Sequence, residues 1–389
     1  MRKRKATSVF VGLLLAGVAA TPAHAETIRE KQWHLDAMKV DEIWKVSTGK
    51  GVTVAVIDSG VDDIPELEGQ VIPGKDFATS NAGDERTDLE THGTTMAALI
   101  AASGKHPSGD GAFGLAPGAK ILPIRVPHEF NSTAPTWTAA IRYAADSEAK
   151  IISISLGVER DDPERIEAVK YALAKGKLIF ASVGNDGDST NRAEFPSATP
   201  GVVGIGAVDP NGAATKESQH NAFVDLSAPG VDIVTACGGK TGLCKNHGTS
   251  DATALAAASA ALLWSAHPDW TNNQVLRVLL NTAGKPKDGV ERNDYVGYGV
   301  VRPRIAVPTP GDPGPADVYP LPDLAAAGAA KAPSGVPGAK ASESAEPAPA
   351  PRAGAEESGG GLPWLALGLG ACVLIGGAVA AVVVRRARR

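Results

Sequence analysis

The chain has 389 residues, with 43 acidic against 38 basic side chains and a formal net charge of −5. That balance leaves no basic surplus to attract a polyanion, so no nucleic-acid partner is expected. No self-similarity at a solenoid period is present either, which argues for ordinary globular architecture.

At the N-terminus, Met1-Arg2-Lys3-Arg4-Lys5 precedes the apolar run 8–20 and the small-residue stretch Ala23-His24-Ala25. Basic, apolar and A-x-A segments in that order predict a secretory signal peptide over 1–25, and the apolar run is short of the ~20 residues that a span needs. Residues 26–307 have globular composition and a length ordinary for one α/β domain. Near-continuous apolar, β-branched runs at 52–57, 120–126, 151–156, 178–183 and 202–208 read as strands covered on both faces. Helical patterns alternate with them at 136–145, 162–174 and in the alanine-rich stretch after Thr249. The alternation predicts an α/β fold, a doubly wound parallel sheet with helices on both faces and its site at the strands' carboxyl ends. Over 308–361 the composition turns to Pro, Ala, Gly, Ser and Glu, too poor in apolar surface to fold, and a disordered linker is expected. Residues 362–384 are apolar and uncharged, and Arg385-Arg386-Ala387-Arg388-Arg389 follows. At 1.5 Å per residue this run covers the ~30 Å hydrocarbon core. It predicts a single membrane span, with the head outside the cell and the basic tail 385–389 in the cytoplasm. A cell-wall sorting signal would need L-P-x-T-G, and Leu362-Pro363-Trp364-Leu365-Ala366 lacks the Thr-Gly.

Of the three cysteines, Cys372 lies in the expected span, while Cys237 and Cys244 are a short loop apart in the head. In an oxidising compartment they are expected to form a disulfide, and no second Cys or His pair accompanies them to make a zinc site. No metal or cofactor is expected to be required. A structural calcium in the Asp/Asn-rich loops 81–88 or 186–191 is conceivable from composition, but such loops read more simply as turns.

Three motifs fall at strand ends or helix starts. Val54-Ala55-Val56-Ile57-Asp58-Ser59-Gly60 delivers a carboxylate at the end of a buried strand; Asp62 and Asp63 follow Gly60 and belong to the loop. Thr91-His92-Gly93-Thr94 sets an imidazole at the start of a closely packed helix. Asn246-His247-Gly248-Thr249-Ser250 sets a hydroxyl at a helix N-terminus, where N–H groups and the helix dipole favour developing negative charge. Each alone reads as an ordinary structural residue or cap. His247 is close to Ser250 in sequence, but a base must approach the hydroxyl from across the cleft, which adjacency along the chain does not supply; His34, His106, His128, His220 and His267 carry no motif.

Taken together, in the order Asp58, His92, Ser250, the motifs resemble the subtilase family of serine proteases, over roughly residues 33–306. The resemblance implies acyl transfer by a triad of these three residues. It implies an oxyanion-holding Asn185 in Val183-Gly184-Asn185-Asp186, and a substrate-binding edge strand over Ser153, Ile154, Ser155, Leu156 and Gly157. An esterase or lipase with the same triad chemistry is disfavoured by the triad order and by the missing G-x-S-x-G elbow. One departure stands out: the family continues after Gly-Thr-Ser with Met or Phe, Ala, a small residue and Pro, whereas this chain has Asp251, Ala252, Thr253 and Ala254. Asp251 beside an oxyanion would oppose it, and the expectation is that it points away into the first helical turn. With no room for a long prodomain between residue 25 and the first strand, the architecture is similar to that of the mycosins, the subtilases of actinobacterial type VII secretion. That likeness implies protein or peptide substrates, a membrane secretion complex as partner, and a single-pass location in the cell membrane. A mainly structural role in such a complex is the other reading.

Overall fold

The computed structural model describes residues 26–78, 82–127, 134–238 and 242–331; the expected signal peptide, membrane span and basic tail lie outside them. Among the described residues no helix is long and apolar enough to cross a membrane. Five strands form where the apolar runs predict them: β1 (Thr53–Asp58), β3 (Lys120–Arg125), β4 (Ile151–Ile154), β5 (Leu178–Ser182) and β6 (Val203–Val208). With β2 (Lys75–Asp76) and β7 (Leu226–Pro229) they make one parallel sheet in the order β2-β3-β1-β4-β5-β6-β7. All residues of β1, β4, β5 and β6 are buried, which is why their sequences show no polar alternation.

From β1 the chain goes to one side for β2 and β3, then crosses back to build β4 through β7 on the other. The crevice of such a sheet opens where the order reverses, at the carboxyl ends of β1 and β4. Helices α4 (His92–Ala101) and α7 (Thr249–Ala266) cover one face, packing Met96, Leu99, Leu255 and Leu262 with Val54, Phe180 and Ile205. On the other face, α5 (Ala134–Asp146) and α6 (Pro163–Ala174) bring Ile141 and Val169 against Ile57, Ile152 and Ile179. Nearly every side chain of α7 is buried, so its alanines are what let it run close to the sheet and to α4. A two-stranded antiparallel ribbon, β8 (Ile233–Ala236) with β9 (Leu243–Asn246), leads into α7.

The N-terminal turns α1 (Ile28–Lys31), α2 (Trp33–Ala37) and α3 (Val40–Ile43) belong to the head. Leu35 and Val40 are fully buried, and the buried Gln32 side chain donates to the carbonyls of Phe113 and Val234 and accepts from Phe113 N. After α8 (Asn272–Thr282) and α9 (Pro303–Ala306) the expected linker is corrected by the structure. The chain does not become a free tether at 308. The Arg277 guanidinium on α8 donates to the carbonyls of Pro313, Pro315 and Val318. Leu321 is buried in the main core, and Asp323, opening α10 (Asp323–Lys331), accepts from Gly201 N at 2.5 Å. A proline-rich segment has carbonyls to spare, and the start of α8 uses them too: Thr271 and Asn273 donate to the Ala316 carbonyl and Gln274 to that of Gly314.

Candidate active site

Asp58 is the last residue of β1 and is 1% exposed; His92 is the first of α4. His92 Nδ1 lies 2.7 Å from Asp58 Oδ1, which also accepts from Ser59 N at 2.8 Å. Close approach of helix to strand end is what brings them together. A Cβ on Gly93 would lie 2.2 Å from the Gly60 carbonyl oxygen and 3.0 Å from Asp58 Cβ, so only glycine fits after His92. Asp88, a residue without a sequence signal, locks this corner. Its carboxylate accepts from Ser59 Oγ at 2.8 Å, Thr94 N at 2.8 Å and Thr94 Oγ1 at 2.6 Å, while Gly93 N donates to Ser59 Oγ at 3.0 Å. Asp62 and Asp63 are in the loop as expected: Asp62 accepts from Asp88 N at 2.8 Å, and Asp63 pairs with Arg86.

Ser250 is the second residue of α7, reached through Gly248, whose φ of 139° makes the sharp entry. Asn185, beyond the end of β5, accepts from Thr249 N at 2.9 Å and Thr249 Oγ1 at 3.1 Å through Oδ1. It therefore caps α7 from across the cleft, and its Nδ2, the only side-chain donor, is turned away from Thr249. Ser250 Oγ donates to the Ser155 carbonyl at 3.2 Å, and Ser155 Oγ donates to the Ser250 carbonyl at 3.2 Å, tying the chain beyond β4 to the first turn of α7. The expected substrate strand reaches the cleft only in part. Ser153 and Ile154 are buried inside β4, which pairs with β1 and β5 on its two sides and so is not an edge. Ser155, Leu156 and Gly157 run past its end and wall a cavity of about 260 Å³ that His92, Asn185 and Ser250 also line. A second depression, about 440 Å³, lies beyond His92 and Ser250 against Lys245, His247 and Asp251.

Asp251 stands in the first turn of α7, as expected, but is buried there rather than directed away from the site. It is 2% exposed and takes a hydrogen bond from the Asn246 side chain. Burial raises its carboxyl to about 7, against the lowering pull of His92 and Asn246. For His92, burial pulls the imidazole down, but the charge and hydrogen bond of Asp58, then Asp251 and Asp88, outweigh it and raise the ring to about 9. An imidazole tied through Nδ1 to a buried carboxylate offers its other nitrogen for proton transfer. A hydroxyl and N–H groups at a helix start, beside an amide donor, offer a nucleophile and a place for negative charge.

Cys237 and Cys244 are joined by a disulfide with Cα atoms 5.9 Å apart, closing the β8–β9 ribbon next to the cleft. His247 is exposed on the turn before α7. His34 is fully buried, His106 bonds Ser108, and His220 and His267 stack on Tyr295 and Trp270; His128 lies outside the described residues. Among the described residues no three His, Cys, Asp or Glu converge to hold a metal ion. In the first acidic loop, the Asp84 carboxylate is engaged by Arg86 N at 3.0 Å and Thr87 Oγ1 at 3.1 Å, as in a plain turn.

Residues 49–299 match the Subtilase family of peptidases S8. The chain is 37% identical over 237 residues to an intracellular serine protease of Paenibacillus polymyxa, covering 59% of this chain and 71% of that protein. It is 32% identical over 340 residues to Mycosin-1 of Mycobacterium tuberculosis, covering 73% of this chain and 74% of that one. The crystal structure of MycP1 from the ESX-1 type VII secretion system superposes with a TM-score of 0.64 at 27% identity, over 76% of this chain and 90% of that one. With a family match spanning more than half of its length, the chain belongs to the subtilase family of serine proteases, as a subtilase-type hydrolase related to the mycosins.

Proposed function

We propose that the protein is a membrane-anchored, extracytoplasmic endopeptidase that cleaves exported proteins through an acyl-enzyme on Ser250, in the setting of a type VII secretion system. The observation that carries the catalytic part is the Asp58–His92 hydrogen bond at 2.7 Å, opening onto the cleft that holds Ser250 and Asn185. His92 takes the Ser250 proton as Oγ attacks a peptide carbonyl, and Asp58 holds the tautomer and stabilises the imidazolium that forms. The oxygen that becomes negative is received by Ser250 N–H at the α7 N-terminus and by Asn185 Nδ2. His92 then returns the proton to the leaving amine, and water releases the acyl group by the same route. The uncharged run 362–384 with its arginine-rich tail supports the anchor, and the likeness to Mycosin-1 and MycP1 supports the secretion setting.

The test is a fluorophosphonate probe on the full-length protein, together with peptide hydrolysis. Wild type should be labelled on Ser250 and turn over peptides, whereas Ser250→Ala should lose both, with hydrolysis down by a factor on the order of 10⁶ and the fold unchanged. Wild-type turnover in that variant would dismiss the assignment. Recovery of the protein in the soluble rather than the membrane fraction would dismiss the anchor.

A further inference from the structure

The cavity beside Ser250 carries a charged group that the catalytic reading leaves unused. Glu194, half-buried, lines it together with Trp137 and the two backbone segments that hold Leu156-Gly157 and Gly184-Asn185. Its carboxylate fills the space where those segments converge. A Cβ on Gly157 would stand 1.9 Å from Glu194 Oε2, and one on Gly184 would stand 2.6 Å from Glu194 Oε1. The residue is fixed from behind. Phe195 bridges to Val158 with hydrogen bonds of 2.8 and 3.0 Å, Ala198 N and Ser197 Oγ donate to the Glu194 carbonyl, and the buried Gln219 amide donates to Oε1 at 3.1 Å.

Among the described residues no lysine or arginine pairs with this carboxylate. Among the described residues lining the cavity there is no lysine or arginine, and Asp186 adds a second carboxylate. Among the described residues the charged groups acting on Glu194 are Asp186 and Glu159, both repulsive; Arg192 is already paired with Glu159 at 2.9 Å. Arg165 lies 5.8 Å from the Trp137 ring and pairs with Asp161, and His92 lines the cavity on the Ser250 side. Burial first, then Asp186 and Glu159, raises the Glu194 carboxyl to about 7 against the lowering effect of Gln219. A desolvated carboxylate without a counter-ion is costly, and a ligand that brings the missing cation recovers that cost as binding.

We propose that Glu194 forms the floor of the specificity pocket and selects lysine or arginine as the residue whose carbonyl Ser250 attacks. This rests on the endopeptidase reading above. A peptide lying along Ser155–Gly157, with its carbonyl oxygen toward Asn185, places the adjoining side chain in the cavity that these same residues wall. The apolar stem lies against Leu156 and Trp137, and the ammonium or guanidinium reaches Glu194 and the open side of Asp186. A glutamate or aspartate at that position meets two like charges, and a leucine leaves Glu194 unpaired.

The experiment compares peptidyl diphenyl phosphonates that differ only in that side chain, Lys against Leu, by their rates of modifying Ser250 in the full-length protein, read by mass shift. A generic fluorophosphonate is run in parallel. The Lys reagent should react at least about tenfold faster than the Leu reagent at pH 8. The Lys:Leu ratio should fall toward pH 6 as Glu194 takes up a proton; His92 titrates identically for both reagents and cancels in the ratio. In Glu194→Gln the ratio should collapse toward unity and lose its pH dependence, and being a ratio it is insensitive to a partial loss of folded protein. Generic labelling with a wild-type ratio at or below unity at pH 8, or with a ratio unchanged in Glu194→Gln, overturns the pocket assignment while leaving the nucleophile standing. Failure of the generic probe to label Ser250 overturns the endopeptidase reading and this inference with it.

Discussion

Asp251 places a further carboxylate against the imidazole of His92, and its consequence for activity has a definite sign. The base must be neutral to accept the Ser250 proton, and carboxylates hold the ring protonated up to about 9. Hydrolysis should therefore climb through the alkaline range rather than level off above the ordinary histidine value of 6.5. Asp251→Asn removes one of the charges that raise His92 and should move the acid limb of the kcat/KM profile to lower pH. Each unit of that displacement multiplies the neutral fraction at pH 7 about tenfold. A limb that stays in place or moves upward would show that Asp251 does not act through the imidazole. Asn185 separates into two roles in the same way. Its Oδ1 caps α7, whereas its Nδ2 is the proposed oxyanion donor. Asn185→Ala should cost about 1 kcal/mol of stability through the cap and ~2.7–4 kcal/mol of barrier through the donor. Asn185→Asp keeps the acceptor and should keep Tm near wild type while losing comparable activity. Activity retained by the Asp variant would assign Asn185 to structure alone. Of these residues, Asp58, His92, Ser250 and Asn185 each stand in a recognisable local string at a strand end or helix start. The approach of Asp251 to His92 joins segments distant in the chain, and neither string hints at it. Glu194 is likewise invisible in sequence, because its place is set by the Val158–Phe195 bridge and not by its neighbours.

At the scale of elements, the site depends on how closely α4 can approach the end of β1. The five main strands and α6 are legible to within a residue or two, because fully buried parallel strands need unbroken apolar runs and such runs are conspicuous. The short N-terminal turns and the β8–β9 ribbon are not, since tertiary contacts such as those of Gln32 hold them rather than local pattern. The substrate strand was legible only as a string: nothing in Ser153-Ile154-Ser155-Leu156-Gly157 tells that β4 lies between β1 and β5 and that only its extension is free. The helix–strand approach rests on Gly93. In Gly93→Ala the new methyl meets the Gly60 carbonyl and the Asp58 side-chain root, neither of which can swing aside, so α4 must retreat. Overpacking of this kind costs about 1–3 kcal/mol of stability, but misplacement of a catalytic group by 1 Å costs on the order of 10²-fold in rate. The expected outcome is a modest fall in Tm with a disproportionate fall in kcat, measured on the same preparation. Equal, small losses in both would mean that the His92–Asp58 geometry tolerates the shift.

For the molecule as a whole, the decisive boundary is where the head ends. Composition alone places it at 307, because proline, alanine and glycine dominate from there; the structure carries the head on to 331 through Arg277, Leu321 and Asp323. A protein of residues 26–307 should therefore be less stable than one of residues 26–331. It exposes the Leu321 site, worth ~1.5–3 kcal/mol of burial, and leaves the Arg277 guanidinium without its carbonyl partners. The docked segment also gives the head a pH dependence. Asp225 is raised to about 8, by burial first and then by Asp323, against Gly204 N–H and Arg292, and burial raises Asp323 as well. In the unfolded chain both carboxyls titrate near 3.8. Between that value and about 8 the native state holds protons that the unfolded state has released, so the stability contributed by these groups is full in acid and lost as pH rises through the window. The longer protein should accordingly lose Tm from pH 5 to pH 8, and Asp225→Asn should flatten that slope. In the shorter one Asp225 loses its acidic neighbour and gains access to water, so its slope should be shallower at a lower Tm throughout. Thermal unfolding of the two proteins at both pH values decides it: equal Tm values would remove residues 308–331 from the head, and parallel slopes would show that Asp225 does not sense the docked segment.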